Sequence, residues 1–333
     1  MQIRKPSYYD EFRCLAGKCP DSCCQDWDVL VDEIAAARYR AMPGALGERL
    51  RQVMYEEDGQ TYFAIQSDGR CPMWRDDGLC RIQAEQGEQA LCQVCANFPR
   101  LHHDFGDFVE LGLELSCPEA ARLILNAAPQ PWLTENVPGG EGDYDKEAMT
   151  VLQQARQEAL ELLADSHYTV PEALAVLLVH GYRCQQWLDE GEGDAFDADS
   201  ALDLARQMAQ TGGEPELREF FRDLEILTPR WRERLDKAGT PGAWTARSRA
   251  MARYFVERYY LQAVSDYDLV GRVKLTVVSC LLVHLLGGNL EETAQLYSKE
   301  IENDADNVDT ILAGAYMSPA LTDAKLLGML LEK

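Results

Sequence analysis

From residue 146 onward, apolar positions recur at steps of three and four. Met149, Leu152, Ala155, Ala159 and Leu163 fall on one stripe, the spacing of an amphipathic helix. Pro171 suits the first turn of a second helix, which Leu174, Leu177 and Leu178 carry to about Trp187. An acidic, glycine-containing loop is expected at 189–199, and further helices at 201–208, 217–227 and 247–262. Before residue 127 the pattern is shorter and broken by turns. Helices are predicted at 32–42 and 49–55, and short strands at 61–66 and 107–115, where apolar and polar residues roughly alternate. Between the two regimes, residues 127–145 carry Pro129, Pro131, Pro138 and Gly139-Gly140-Glu141-Gly142-Asp143, and read as a linker or exposed loop. The expected architecture is mainly α: a loop-rich N-terminal region with short strands (1–126), the linker, then an α-helical domain (146–333).

The most apolar stretch, Leu269–Leu286, is interrupted by Arg272, Lys274 and His284. Two cations in hydrocarbon are costly, so a buried core helix is predicted rather than a membrane span. Gly287-Gly288 gives it a natural stop, and Asn289 with Glu292 three residues on caps the next helix. The N-terminus runs from Met1-Gln2-Ile3-Arg4-Lys5-Pro6 into polar and aromatic residues without an apolar leader, so a cytoplasmic protein is expected. With 56 acidic against 32 basic residues the formal net charge is −24. That excludes nucleic acid as a natural partner, since binding it requires a basic face. It suits attraction of a cationic substrate such as a protein lysine, and equally simple solubility.

Cysteine usage sharpens the picture. Nine of the eleven cysteines lie between Cys14 and Cys117, spaced Cys14-x4-Cys19-x3-Cys23-Cys24, Cys71-x8-Cys80-x11-Cys92-x2-Cys95, then Cys117. A disulfide scaffold would require an export signal, so the clustering points to a metal. Thiolates suit zinc, copper(I) and iron–sulfur clusters, and four close one tetrahedral zinc site or hold one cubane. Cys19, Cys71 and Cys117 precede proline, as does the last ligand of the bacterial ferredoxin run, which favours iron–sulfur over zinc. Cys92-x2-Cys95 has the spacing of a zinc knuckle, but no second such pair completes a ribbon. Cys184 and Cys280 sit on apolar helical stretches and are expected to pack in the core.

The segments Tyr8-Tyr9-Asp10-Glu11-Phe12-Arg13-Cys14, Lys18-Cys19-Pro20-Asp21-Ser22-Cys23-Cys24-Gln25-Asp26-Trp27 and Cys71-Pro72-Met73-Trp74 with Gly78-Leu79-Cys80-Arg81-Ile82 carry a family likeness. So do Leu91-Cys92-Gln93-Val94-Cys95-Ala96-Asn97-Phe98-Pro99-Arg100 and Leu115-Ser116-Cys117-Pro118-Glu119-Ala120-Ala121. Over roughly residues 6–125 the chain resembles the flagellin lysine-N-methylase family, and its first blocks resemble a wider group of zinc- or iron-chelating cysteine-cluster proteins. The resemblance implies transfer of a methyl group from S-adenosylmethionine to flagellin lysines, and a [4Fe-4S] centre. It carries the ligand role to Cys14, Cys19, Cys23, Cys24, Cys71, Cys80, Cys95 and Cys117, with Cys92 less firmly part of the pattern. The alternatives are a non-enzymatic metal- or redox-binding protein on the same framework and a zinc-stabilised interaction module.

The methyl-donor site and the catalytic residues are not assignable from sequence. The C-x3-C-x2-C run of radical chemistry is broken, because the position three beyond Cys23 is Asp26, and no glycine-rich strand-to-helix turn is present. Deprotonating the amine calls for a carboxylate or tyrosine. Asp28, Asp32, Tyr8 and Tyr9 lie near the cysteines in sequence, though capping and surface roles suit them as well. His102-His103 offers a base or ligand, and Arg100 a partner for cluster charge.

Overall fold

The computed structural model describes every residue except Asp28, Glu192, Asp194, Ala238, Glu332 and Lys333. The chain opens with strand β1 (Gln2–Lys5) and passes through two single turns of 3-10 helix to β2 (Val29–Val31). Helices α1 (Glu33–Ala41) and α2 (Gly44–Val53) lead into the hairpin β3 (Met54–Glu57) and β4 (Gln60–Phe63). Strands β2, β4 and β3 make a small antiparallel sheet, with Tyr62 flanked by Leu30 on one side and Tyr55 on the other. Short helices α3 (Arg81–Gln86) and α4 (Gln93–Asn97) precede β5 (Arg100–Asp104), β6 (Phe108–Leu113), α5 (Pro118–Asn126) and β7 (Leu133–Asn136).

The second sheet has the order β5-β6-β1-β7. In it β1 runs parallel to β6, Ile3 opposite Val109, and antiparallel to β7, Ile3 opposite Glu135. A parallel pair needs a long crossover. Here the crossover carries every early cysteine except Cys117, so the cysteine loops start from and return to one sheet.

The remainder is helical, as expected for a mainly α chain: α6 (Lys146–Ala164), α7 (Val170–Glu190), α8 (Ala198–Met208), α9 (Glu214–Arg222) and α10 (Pro229–Asp236). They are followed by α11 (Ala246–Tyr259), α12 (Leu269–Leu286), α13 (Leu290–Tyr297), α14 (Ala305–Met317) and α15 (Asp323–Leu330). Helix α12 is the axis of this half, packed by α7, α11 and α14. It is long and apolar enough to cross a membrane, but 94% of it is buried inside the protein. Its cations are paired, Arg272 with Asp266 at 2.7 Å and Lys274 with Asp323 at 2.9 Å. Gly181 lets α7 approach closely, since a β-carbon there would lie 2.8 Å from Val273 Cγ2.

Buried apolar residues form two clusters. The larger joins Tyr8, Phe12 and the stretch from Phe108 through α5 to the C-terminal helices, while the smaller runs from Val29 to Cys92. The predicted 49–55 helix begins earlier, at Gly44, and stops at Val53, because Tyr55 joins a strand. The 217–227 helix lies at Glu214–Arg222. Within 127–145, Leu133–Asn136 forms β7 on the edge of the sheet. Helix α10 escaped the periodicity because only Trp231 and Leu235 on it are buried among charged residues.

Candidate metal centre

Three loops converge between the two apolar clusters. The first, after Phe12, turns through Ala16 at positive φ and places Cys14, Cys19, Cys23 and Cys24 within a few residues of one another. It is tied to the second where Cys71 N–H donates to Cys24 C=O at 2.8 Å and Asp26 N–H to Gly69 C=O at 2.8 Å. Gly69 holds φ near +79° there, and a β-carbon would lie 2.6 Å from Asp26 Oδ1, so the contact needs glycine. Gly78 likewise rests on Gly17 and brings the Gly78-Leu79-Cys80 turn against the first loop. Cys80, Cys92 and Cys117 each occupy the residue before a helix, of α3, α4 and α5.

Seven of the eight predicted ligands, Cys14, Cys19, Cys23, Cys24, Cys80, Cys95 and Cys117, line one cavity of about 410 Å³. The eighth, Cys71, is buried in the small apolar cluster with Cys92, and Cys24, Cys80 and Cys95 pack against that cluster. All nine thiols are free. Trp27 and Phe98 meet edge to face at 5.7 Å beside the cavity, and the Trp27 indole N–H donates to Cys23 C=O at 2.9 Å. Arg13 and Arg100 stand among the lining residues, with Arg100 over the Phe12 ring.

Crowding shows in the protonation of the thiols. A hydrogen bond from Cys23 holds Cys24 down at about 7, while that bond and burial push Cys23 far up. Cys92 is lowered and Cys95 raised in the same way. Burial pushes Cys71 to about 12 and Cys117 to about 11, the latter opposed by the N–H groups of Ala120 and Glu119. Protonated sulfurs confined together are the state from which a metal displaces protons.

Sulfurs around one zinc, at about 2.3 Å from the metal, lie roughly 4 Å apart. Among the described residues, the one trio of ligand atoms all within 4.8 Å is Glu158, His180 and Cys184. The cavity thiols make no trio that close among the described residues, although Cys23 is hydrogen-bonded to Cys24 and Cys92 to Cys95. The trio itself belongs to a partly buried polar network that includes Arg183. His180 Nε2 lies 2.9 Å from Glu158 Oε2 and 3.4 Å from Cys184 Sγ, and Arg183 Nη1 donates to the same carboxylate at 2.7 Å. Cys184 and Cys280 are buried, as expected, although the partners of Cys184 were not foreseen. The i, i+4 spacing of His180 and Cys184 on one helix was the available signal.

The other candidates are dispersed. Asp28 lies outside the described residues. Asp32 accepts from Ala35 N–H and Gln93 N–H and so caps α1. Tyr8 is buried in the large core, where desolvation pushes its phenol far up, and Tyr9 is half-buried. His102 and His103 lie on β5 away from the cysteine cavity, His103 lining a small cavity with Tyr254 and Arg258. Lys299 and Gln295, which reach the cysteine loops from the far end of the chain, went unnoticed in the sequence.

Fold and site together define a mainly α protein built around a polythiol cavity. No family profile and no solved structure matches the chain. Among curated proteins, the flagellar biosynthetic protein FliU of Salmonella muenchen is 31% identical over 130 residues, 37% of this chain and 77% of that protein. Lysine-N-methylases of Salmonella typhimurium and Salmonella choleraesuis are each 30% identical over 130 residues, and the match spans 32% of their length. The chain belongs to the family of the flagellar biosynthetic protein FliU, and over 37% of its length it is related to the lysine-N-methylases.

Proposed function

We propose that the protein is a lysine N-methyltransferase that moves a methyl group from S-adenosylmethionine to the ε-amine of flagellin lysines, and that its thiols hold a [4Fe-4S] centre. The convergence of seven early cysteines on one cavity carries the reading. The names of the relatives, lysine-N-methylase and flagellar biosynthetic protein, support lysine methylation as the reaction and a flagellar protein as the substrate. The prolines that follow Cys19, Cys71 and Cys117 support iron–sulfur over zinc. Ligands would come from Cys14, Cys19, Cys23, Cys24, Cys80, Cys95 and Cys117, with Cys71 and Cys92 behind them. A bound centre supplies a cross-link between loops distant in sequence.

In the reaction the neutral amine attacks the methyl carbon, so that an N–C bond forms and the sulfonium S–C bond breaks. S-adenosylhomocysteine leaves with the bonding pair, and the amine proton passes to a base or to water. The net charge of −24 draws a lysine-bearing surface toward the protein. Cytoplasmic placement is part of the proposal, since reduced thiols and S-adenosylmethionine are both intracellular requirements.

The test is incubation of anaerobically purified protein with flagellin of the same organism and methyl-labelled S-adenosylmethionine, followed by mass spectrometry. Labelled methyllysine is expected, together with brown protein containing iron and sulfide. Unlabelled flagellin alongside an iron-replete preparation would favour a non-enzymatic metal-binding role. Colourless, iron-free protein would overturn the iron–sulfur centre.

A further inference from the structure

Helix α13 runs without a break into a π-helical turn, Ser298–Glu302, all five residues of which are buried. Such wide turns are uncommon and concentrate at functional sites. This one directs Lys299 into the wall of the cysteine cavity. The side chain is 2% exposed, and its Nζ lies 3.2 Å from Asp21 Oδ1 and 3.2 Å from Asp26 Oδ2. It also stands 5.3 Å from the centre of the Trp27 ring. One turn earlier, Gln295 Nε2 donates to Asp21 Oδ2 at 2.8 Å and to the carbonyl of Ser116, the residue before Cys117, at 2.7 Å.

Asp21 and Asp26 bracket Cys23 and Cys24, so the ammonium grips both ends of the turn that presents these two thiols. A buried ammonium is expensive unless paired. Two carboxylates overbalance it by one negative charge, and metal-bound thiolates would add more. Arg13 and Arg100 of the same lining are exposed, so the buried cation Lys299 acts more strongly on the charge that any centre there can hold.

We propose that Lys299 is a positioning residue of the cysteine centre. Through Asp21 and Asp26 it orders the turn carrying Cys23 and Cys24, and its charge favours the reduced, more negative state of the metal. The inference rests on the reading of these cysteines as metal ligands. Net charge around a cluster sets its potential, and loss of an outer partner loosens the metal.

Wild type, Lys299→Met, Lys299→Arg and Asp21→Asn are to be compared for iron and sulfide content, midpoint potential by spectroelectrochemical titration, and iron release to a chelator. Lys299→Met is expected to shift the midpoint downward and to release iron about tenfold faster. Lys299→Arg should keep the midpoint near wild type. Asp21→Asn should shift it upward, an opposite sign that loosened folding alone does not produce, and it serves as the test if Lys299→Met does not fold. Shifts of the same sign in both variants, or an unchanged midpoint in iron-replete Lys299→Met, would overturn the role of Lys299. Iron-free wild type would instead overturn the metal reading, and this inference with it.

Discussion

Cysteines crowded into the first third of a chain announce themselves before any folding is considered. Lys299 is one of eight lysines scattered along the chain, and it meets Asp26 across 273 positions of sequence, so only the fold reveals it. His103 is a comparable case. Burial, and next the charge of Arg258, lower its imidazole from 6.5 to about 4; Arg156 and His102 act in the same direction, and Glu110 opposes them. Its Nε2 is buried without a hydrogen-bond partner among the described residues. Between those two values the unfolded chain binds the proton and the native one does not. The stabilisation from keeping His103 neutral is therefore present above about 6.5 and is lost as the pH falls toward 4. Glu114 slopes the other way, because burial raises its carboxyl to about 7 and its protonation favours the folded state at the acidic end. The comparison of wild type with His103→Gln isolates the histidine. In urea unfolding from pH 8 to 4, wild type should lose about 2–3 kcal/mol more than the variant. Parallel curves would show that His103 titrates alike in both states.

Elements were legible where burial follows the local pattern, and obscure where partners come from elsewhere. Leu269–Leu286 has no polar face to maintain, so its apolar run coincides with the helix itself, bounded by Asp268 and Gly287. The π turn after α13 carries no such signature, because its lysine and glutamates are buried by distant partners. Strand β7 was hidden for a related reason: all four of its residues are exposed, and it exists by pairing with β1. An ion pair ties the sheet to the helical half: Arg156 of α6 makes two 2.7 Å hydrogen bonds to Glu110 on β6. Glu110 is buried, and Arg4 approaches it at 3.8 Å. Breaking such a pair from one side strands a charge, so Arg156→Met should cost about 3–5 kcal/mol in chemical denaturation. Arg156→Met combined with Glu110→Met should recover a good part of that loss, since no charge is then left without its partner. A double variant as unstable as the two singles summed would show that the pair contributes nothing as a pair.

At the scale of the whole molecule, the two apolar clusters are unequal. The larger includes nearly every helix from α5 onward. The smaller has three short helices, a three-stranded sheet and few fully buried large side chains, chiefly Tyr39, Leu50, Phe63, Met73 and Ile82. Cores of that size usually depend on a metal or on disulfides, and its cysteines are unpaired. The loops around the cavity add only single 3-10 turns between Tyr9 and Lys18. With metal bound, its binding free energy becomes folding free energy for these segments. Stripping it should therefore speed amide hydrogen exchange on the order of a hundredfold or more across 13–27, 66–80 and 88–98. Exchange in α7 and α12, deep in the larger cluster, should hardly change. The measurement is hydrogen–deuterium exchange by mass spectrometry on holo and chelator-treated protein. Equal acceleration in α12 and in the cysteine loops would mean that the two clusters unfold as one, and exchange unchanged everywhere would mean that the loops hold their shape without a metal.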